Sequence, residues 1–177
     1  AFNTDLTFTF GLTTVTVSDD ADASNIVSHT GIHIENFLGG NNVVATDTFK
    51  LLDGATISGN INGQAGPNAL DLSDYTIGRA VILTGLGSNH GFKGTDNSLP
   101  TGFDDIDQII GSSANDDSLT GINAAALWSL LATSGSYTST NTLDFESFES
   151  LLGGSNVDTF RLTDGTTFQG NLDGALG

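Results

Sequence analysis

The sequence contains no cysteine, and only four of its 177 residues are basic. Without cysteine, disulfide frameworks and thiol chemistry are excluded. The four bases stand against 21 acids, which gives a net charge of −17. Because binding to nucleic acid or to an anionic membrane needs basic side chains that replace phosphate counterions, we expect neither partner. No apolar run approaches the roughly 18 residues of a spanning helix, so membrane insertion is not expected either.

Charged residues of both signs are also scarce, at 14% of the chain, against about 25% in an average globular protein. Ser, Thr, Asn and Gly fill the polar positions instead, which is common in extracellular β-rich proteins. The chain is therefore predicted to be secreted, as an extracellular or cell-surface protein. The acids are spread along the chain, which indicates a solvated, self-repelling surface; binding of divalent cations is the alternative.

A long internal repeat is the main feature of what is present. The segment IENFLGG around Glu35 corresponds to FESLLGG around Glu149, 114 positions later. Each is followed by a second block, DTFKLLDGATISGNINGQAG or DTFRLTDGTTFQGNLDGALG, in which Asp47 and Asp158 correspond at a separation of 111. A period this long, filled with short β-type segments and Gly turns, predicts an array protein.

The repeat also predicts the domain organisation. We expect residues 1–66 to form a first, partial repeat and residues 67–177 a second unit of 111 residues. The two would form one continuous solenoid rather than separate domains. We expect the chain to be a window on a longer array, or a protomer that completes its fold with a neighbour.

Apolar and polar residues alternate in short segments bounded by Gly, Asn and Asp, as in residues 6–10, 14–17, 31–34 and 143–146. Such alternation is typical of β-strands, and strands this short need stacking on one another to bury enough apolar surface. The sequence therefore predicts an all-β protein, namely a parallel β-solenoid with open ends.

Two segments are harder to interpret. Residues 123–132 (NAAALWSLLA) have helix propensity with Asn123 as a possible N-cap, but they also fit a strand with Trp128 on one face. Residues 90–101 (HGFKGTDNSLPT) form the longest stretch without a clear pattern and are predicted to be a protruding loop.

In combination, the segments FESLLGGSNVDTF, GNINGQAGPNALDLSDYT and FDDIDQIIGSSANDDSLTG resemble the long repeats of giant bacterial surface proteins. These are described as β-strand-repeat or haemagglutinin/adhesin-like proteins and are distantly similar to the RTX β-roll. The similarity runs from about Ile34 to Gly177. It implies an exported, solenoid-like all-β protein with a structural or adhesive role, and it implies a strand at Trp128.

Calcium is the one cofactor that the sequence suggests. A calcium β-roll needs tandem GGxGxDxUx nonapeptides, whereas residues 153–160 (GGSNVDTF) keep the Gly pair and the Asp without the tandem. Turn capping by Asp and Asn side chains is the alternative interpretation of these residues. The candidate calcium ligands are Asp19, Asp20, Asp22, Asp116, Asp117 and Asp158.

Catalysis is not expected. A polysaccharide lyase needs a basic groove, and the bases are few and scattered. Paired carboxylates for glycoside hydrolysis could come from residues 104–107 or from Glu146 and Glu149, but Glu149 recurs at Glu35, which indicates a role in the repeat. The histidines, such as His29 and His90, lack metal-ligand spacing and are interpreted as surface side chains.

The leading functional prediction is a structural repeat of an extracellular bacterial filament, sheath or giant surface adhesin, assembling with adjacent repeats or as a homopolymer. The alternative is a calcium-stabilised adhesin module that binds carbohydrate or a surface through residues 87–101 and Phe92. As mutational expectations, Phe160→Asp should prevent folding and Asp96→Asn should be nearly silent. The predicted assembly edges are Leu6, Phe8, Phe10, Val15 and Val17 at the start and Phe168 and Leu172 at the end.

Overall fold

The computed structural model describes residues 4–30 and 35–177, which form eighteen β-strands and no helix. The all-β class is therefore confirmed. The predicted strand at residues 31–34 lies outside the described residues. The strands are β1 (Leu6–Phe10), β2 (Thr14–Asp19), β3 (Asp22–Thr30), β4 (Phe37–Leu38), β5 (Asp47–Leu51), β6 (Ile61–Asn62), β7 (Asn68–Asp71), β8 (Ala80–Leu86), β9 (Phe92–Asp96), β10 (Leu99–Ile106), β11 (Gln108–Ile110), β12 (Ser118–Thr120), β13 (Ala126–Leu130), β14 (Ser134–Thr138), β15 (Thr142–Glu146), β16 (Ser150–Leu152), β17 (Asp158–Leu162) and β18 (Asn171–Asp173).

The strands form two mixed sheets. Sheet A has ten strands in the order β17-β13-β14-β15-β11-β7-β5-β1-β2-β3, and sheet B has eight in the order β18-β16-β12-β8-β9-β10-β6-β4. The chain crosses from one sheet to the other after each strand or each three-stranded excursion. Strands from successive crossings pair in parallel, for example β5 with β7 and β12 with β16.

The expectation of a wholly parallel arrangement is met only in part. Three excursions fold back on themselves as antiparallel meanders: β1-β2-β3, β8-β9-β10 and β13-β14-β15. Each is joined by short turns, and a two-stranded reversal of this kind needs only a tight turn, whereas a parallel neighbour needs a crossover. The single strands between the excursions are the parallel part of the fold.

Inward-facing side chains stack in rows between the two sheets. In sheet A, one such row consists of residues that lie opposite one another on adjacent strands: Phe8, Phe49, Leu70, Ile109 and Phe145. All five are buried in the main core. A matching row in sheet B comprises Val81, Leu119, Leu151 and Leu172. Burial of these rows supplies the main stabilising term, because each buried aliphatic or aromatic side chain contributes about 1.5–3 kcal/mol.

The last six strands of the structure pair with one another as the first six do. Strands β1 to β6 have the same order and pairing as β13 to β18, so Phe8 corresponds to Trp128. Phe8 stacks on Phe49 with an interplanar angle of 17°, and Trp128 stacks on Phe160 at the same 17°. The equivalence includes residues 6–30, where the two stretches of sequence have little in common beyond alternation.

The segment at residues 123–132 is a strand, and the helical alternative is wrong. Strand β13 occupies Ala126–Leu130, with alternate residues buried. Trp128 is fully buried between the sheets. The strand is favoured because it places Trp128 in contact with neighbouring aromatic rings, and this tertiary packing outweighs the helix propensity of the segment.

The prediction of a protruding loop at residues 90–101 is also wrong. This stretch contains β9 and the start of β10, which pair antiparallel in the middle of sheet B. Phe92 is fully buried and so cannot contact a ligand on the surface. The alternation was hidden because an inward position holds glycine: a Cβ atom on Gly94 would meet the ring of Phe103.

Several predicted assembly residues lie away from the sheet edges. Leu6, Phe8 and Phe10 are buried in β1, which is paired on one side with β2 and on the other with β5. Val15 and Val17 lie on β2, also paired on both sides. The outermost strands are β3 and β17 in sheet A and β4 and β18 in sheet B, and of the predicted residues they include Leu172. Phe168 precedes β18 and packs against the core.

Residues 4–30 and 35–177 contain no helix with the length and apolar character that crossing a membrane requires.

Candidate functional site

The first candidate site is a recurring arrangement of aspartates, which we call the amide clasp and define by Asp47, Asp117 and Asp158. Asp47 and Asp117 are buried, whereas Asp158 is half-buried. Each aspartate accepts a hydrogen bond from the turn that precedes it: Gly40 N for Asp47, Ser112 N at 3.0 Å for Asp117, and Gly154 N at 2.9 Å for Asp158. These turns carry the Gly-containing motif that repeats in the sequence.

The same carboxylates also accept hydrogen bonds from a neighbouring strand segment. Asp47 accepts a hydrogen bond from Leu6 N at 3.1 Å, and Asp117 accepts one from Arg79 N. In Asp158 the donor is the indole Nε1 of Trp128, at 3.2 Å. One side chain thus joins two neighbouring strand segments, which explains why an aspartate recurs at these positions.

Burial raises the pKa of the Asp47 and Asp117 carboxyls above its ordinary value, although the backbone amides that they accept act in the opposite direction. The amides stabilise the ionised form, whereas the apolar surroundings destabilise it. Backbone amides thus supply hydrogen-bond donors to both carboxylates. Such a use needs no bound cation.

Three of the other candidate calcium ligands accept hydrogen bonds within the protein. Asp20 accepts a hydrogen bond from Thr7 Oγ1 at 3.0 Å, Asp22 from Ser24 N at 3.0 Å, and Asp19 from Ala21 N at 2.9 Å. Asp116 is exposed beside Asp117. Over the described ranges, no three His, Cys, Asp or Glu side chains gather into a group that could hold a metal ion. Calcium binding stays a prediction.

We expect Asp117→Ala to lower the free energy of unfolding by about 2–5 kcal/mol, because the buried amides of Ser112 and Arg79 lose their acceptor and each such loss costs about 1–3 kcal/mol. Asp117→Asn retains one acceptor oxygen and should cost less. The control is Asp116→Ala at the exposed neighbouring position, which should change stability by less than about 0.5 kcal/mol. Urea unfolding measures all three, and equal midpoints for the alanine variants would disprove the role of the clasp.

The carboxylates considered for catalysis have structural partners too. Glu149 Oε2 accepts a hydrogen bond from Asp117 N at 2.9 Å. Asp104 caps Ser88 N at 2.9 Å, and buried Asp105 caps Asn89 N at 2.7 Å. The backbone near these glutamates explains two of the repeated glycines: a Cβ atom on Gly59 would collide with the carbonyl oxygen of Glu35, and one on Gly170 with that of Glu149.

His90 is half-buried between two acceptors, contrary to its interpretation as an ordinary surface side chain. Its Nδ1 lies 3.0 Å from Asp107 Oδ2, and its Nε2 lies 2.6 Å from the carbonyl oxygen of Gln64. Both partners only accept hydrogen bonds, so both ring nitrogens donate when the imidazole is protonated. Burial opposes the charged form, but the hydrogen bonds to Asp107 and Gln64 outweigh it and raise the pKa of His90 above 6.5.

Stability is therefore expected to fall as the pH rises through the raised pKa of His90. Because the folded-state pKa exceeds the unfolded one, the contribution of His90 is complete below the ordinary pKa of 6.5 and disappears above the folded-state value. Urea midpoints of the wild type and of His90→Gln, measured at pH 6 and pH 8.5, test this. The wild type should lose more stability across that interval than the variant; an equal loss would contradict the assignment.

A buried ion pair is the feature that sequence reasoning missed. Arg79, 5% exposed, pairs with buried Asp96, and its guanidinium lies 4.1 Å above the ring of Tyr75. Ser98 N donates to Asp96 Oδ1 at 2.8 Å. The only available signal was that Arg79 is one of four bases in the chain. A cavity of about 370 Å³ lies beside Tyr75 and Arg79.

A second, larger concavity is a groove of about 930 Å³ lined by four chain segments. Its walls consist of residues 112–115, 132–133, 147–150 and 167–171, and they are mostly hydroxyl and amide side chains with Phe148 and Phe168 among them. Apart from Glu149, these are neutral hydrogen-bonding groups or apolar side chains, and such a lining can bind neutral polar ligands.

The chain matches no protein-family model, no curated protein and no solved structure.

Proposed function

We propose that the chain is a β-solenoid repeat of an extracellular bacterial filament, sheath or giant surface adhesin, whose units assemble by continued β-stacking. The observation that carries this proposal is the structural repeat. The strands β13 to β18 pair with one another in the same order as the six strands β1 to β6 do. Unit-by-unit recurrence of this kind is typical of repeat proteins, in which each unit contacts mainly its neighbours and the array forms an extended surface.

The energetics of the repeat support a structural role. Successive units share rows of apolar side chains, so each unit is stabilised by its neighbours rather than by a closed core of its own. The net charge of −17 would keep finished filaments apart. The carboxylates of the amide clasp accept hydrogen bonds from neighbouring strand segments, which is consistent with assembly rather than catalysis.

Labelling of the source bacterium with antibodies against the folded chain tests the proposal. Intact cells should be labelled as strongly as permeabilised cells, and immunogold should follow fibres or a sheath outside the envelope. An antibody against a cytoplasmic protein is the control for intactness. Labelling that requires permeabilisation would refute the proposal.

Glycan binding is a second candidate, and the polar groove at residues 112–115, 132–133, 147–150 and 167–171 favours it. Phe168 packs only partly against the core, so its ring could stack on a sugar. A glycan array probed with the wild type and with Gln169→Ala, a change within the groove, tests this candidate. Signals that are equal for both proteins, or absent for both, would exclude the groove as a glycan site.

A further inference from the structure

The face formed by β17 and β18 exposes side chains whose equivalents are buried elsewhere in the same molecule. Leu51 in β5 is 0% exposed, whereas the corresponding Leu162 in β17 is 44% exposed. Ile61 in β6 is 0% exposed, whereas the corresponding Leu172 in β18 is 37% exposed. Within the described residues, β17 pairs with β13 alone and β18 with β16 alone.

The first copy shows what covers these positions. Strand β5 pairs in parallel with β7, and Phe49 lies opposite Leu70. The Asn68 side chain completes the contact, because its Oδ1 accepts a hydrogen bond from Asp47 N at 3.3 Å. On the other sheet, β6 pairs with β10. An apolar strand that begins with an asparagine is therefore the complement of this face.

We propose that the face of β17 and β18 binds a segment with the chemistry of residues 67–123 from an adjoining repeat unit, and not a second copy of this chain placed end to end. This inference rests on the proposed function and names the partner of the stacking edge. Its occupant is defined by three features: a first-position Asn, inward apolar residues at the positions of Leu70 and Leu72, and a following meander in sheet B.

The numbers of strands in the two sheets argue against a second copy placed end to end, because sheet A has ten strands and sheet B has eight. At the opposite end of the molecule, sheet A extends through β1, β2 and β3, whereas sheet B extends only through β4. If the β3 strand of a second copy paired with β17, the β4 strand of that copy would lie too far from β18 to pair with it. Two strands would then be missing from sheet B at the junction. Residues 67–123 contribute two strands to sheet A (β7 and β11) and four to sheet B (β8, β9, β10 and β12). Such a segment makes up the difference.

The backbone of β17 provides a direct readout. Leu52 N donates to Phe10 O and the equivalent Thr163 N donates to Leu130 O, both toward the inner neighbour. Alternate amides along a strand point to opposite edges. The amides of Asp158, Phe160 and Leu162 therefore face the open side, as Asp47 N does in the first copy.

The experiment extends the chain by a second copy of residues 67–177 after Gly177. Hydrogen exchange of the original Asp158, Phe160 and Leu162 amides should slow by at least about tenfold relative to the unextended chain. Small-angle scattering should show a rod longer by about 29 Å, since six strands are added to each sheet at about 4.8 Å per strand. An extension with Leu70→Asp and Leu72→Asp in the added unit is the matched control and should give no protection.

Two results would overturn the inference. One is unchanged exchange at β17 in an extended chain whose internal Phe49 amide stays protected. The other is protection of β17 in the unextended chain on concentration from 10 µM to 1 mM, which would identify a second copy as the occupant. An extension with residues 67–123 alone repeats the test if the longer chain does not fold. The antibody experiment can fail while this one succeeds, so the two proposals are separable.

Discussion

Asp96→Asn should lower the free energy of unfolding by about 3–5 kcal/mol, the usual cost of removing one partner from a buried ion pair. Asparagine has nearly the same shape as aspartate but no charge, so the guanidinium of Arg79 would remain buried without a counter-ion. The ring of Tyr75, 4.1 Å from the guanidinium carbon, offers only a weak substitute. Urea unfolding followed by circular dichroism measures the loss.

A surface ion pair provides the control. Lys50 Nζ lies 2.8 Å from Asp74 Oδ1, and the Asp74 side chain is 41% exposed. Asp74→Asn should therefore cost less than about 1 kcal/mol. The double variant Arg79→Met with Asp96→Leu should be more stable than Asp96→Asn, because it leaves no buried charge. A silent Asp96→Asn, as the sequence alone suggested, would contradict the structure.

The failure to predict Asp96 has a physical cause. Residues 90–101 are mostly polar, and hydropathy patterns detect burial only where the buried residue is apolar. Here Asp96 and Gly94 occupy inward positions of β9 together with Phe92. A buried charge is satisfied by a partner that is distant in sequence, and nothing in the local pattern identifies Arg79 as that partner.

Strands such as β1, β5 and β15 were predictable because their alternation of apolar and polar residues is local. The β5 and β17 segments also share the pattern DTF[KR]L, so their equivalence could be found by comparison of the sequence with itself. The equivalence of β1 and β13 could not, since LTFTF and ALWSL share only alternating burial. Which strands become neighbours depends on the three meanders, and their reversal is decided by packing between sheets rather than by local propensity.

Phe160→Asp is a milder change than the sequence suggested. Phe160 lies on the outermost strand of sheet A and is only partly buried, although it stacks on Trp128. An introduced carboxylate at that position can reach solvent, so folding should survive. The corresponding position in the interior is Phe49, which is 0% exposed. The difference between these equivalent residues reflects the open face.

Trp128→Ala should be among the most destabilising single changes, at about 3–5 kcal/mol. Trp128 is fully buried, and its ring lies 4.5 Å from Tyr137, 5.5 Å from Phe160 and 5.9 Å from Phe145. Its removal would open a cavity among these aromatic rings and would also remove the indole donor to Asp158. Unfolding in urea should be followed by circular dichroism. Trp128 is the only tryptophan, so the variant has no tryptophan fluorescence with which to follow unfolding.

Trp128→Phe separates the two contributions. Phenylalanine is the residue found at the equivalent position, Phe8, where the ring stacks on Phe49 and the clasp is completed by Leu6 N instead of an indole. The variant should keep most of the packing and lose the hydrogen bond to Asp158, at a cost of about 1–2 kcal/mol. If Trp128→Phe lowered the free energy of unfolding as much as Trp128→Ala, the hydrogen bond to Asp158 rather than the aromatic contacts would be the main contribution of Trp128. If Trp128→Ala cost less than about 1 kcal/mol, stacking of the aromatic row across β13 and β17 could not be a main source of stability in this part of the structure.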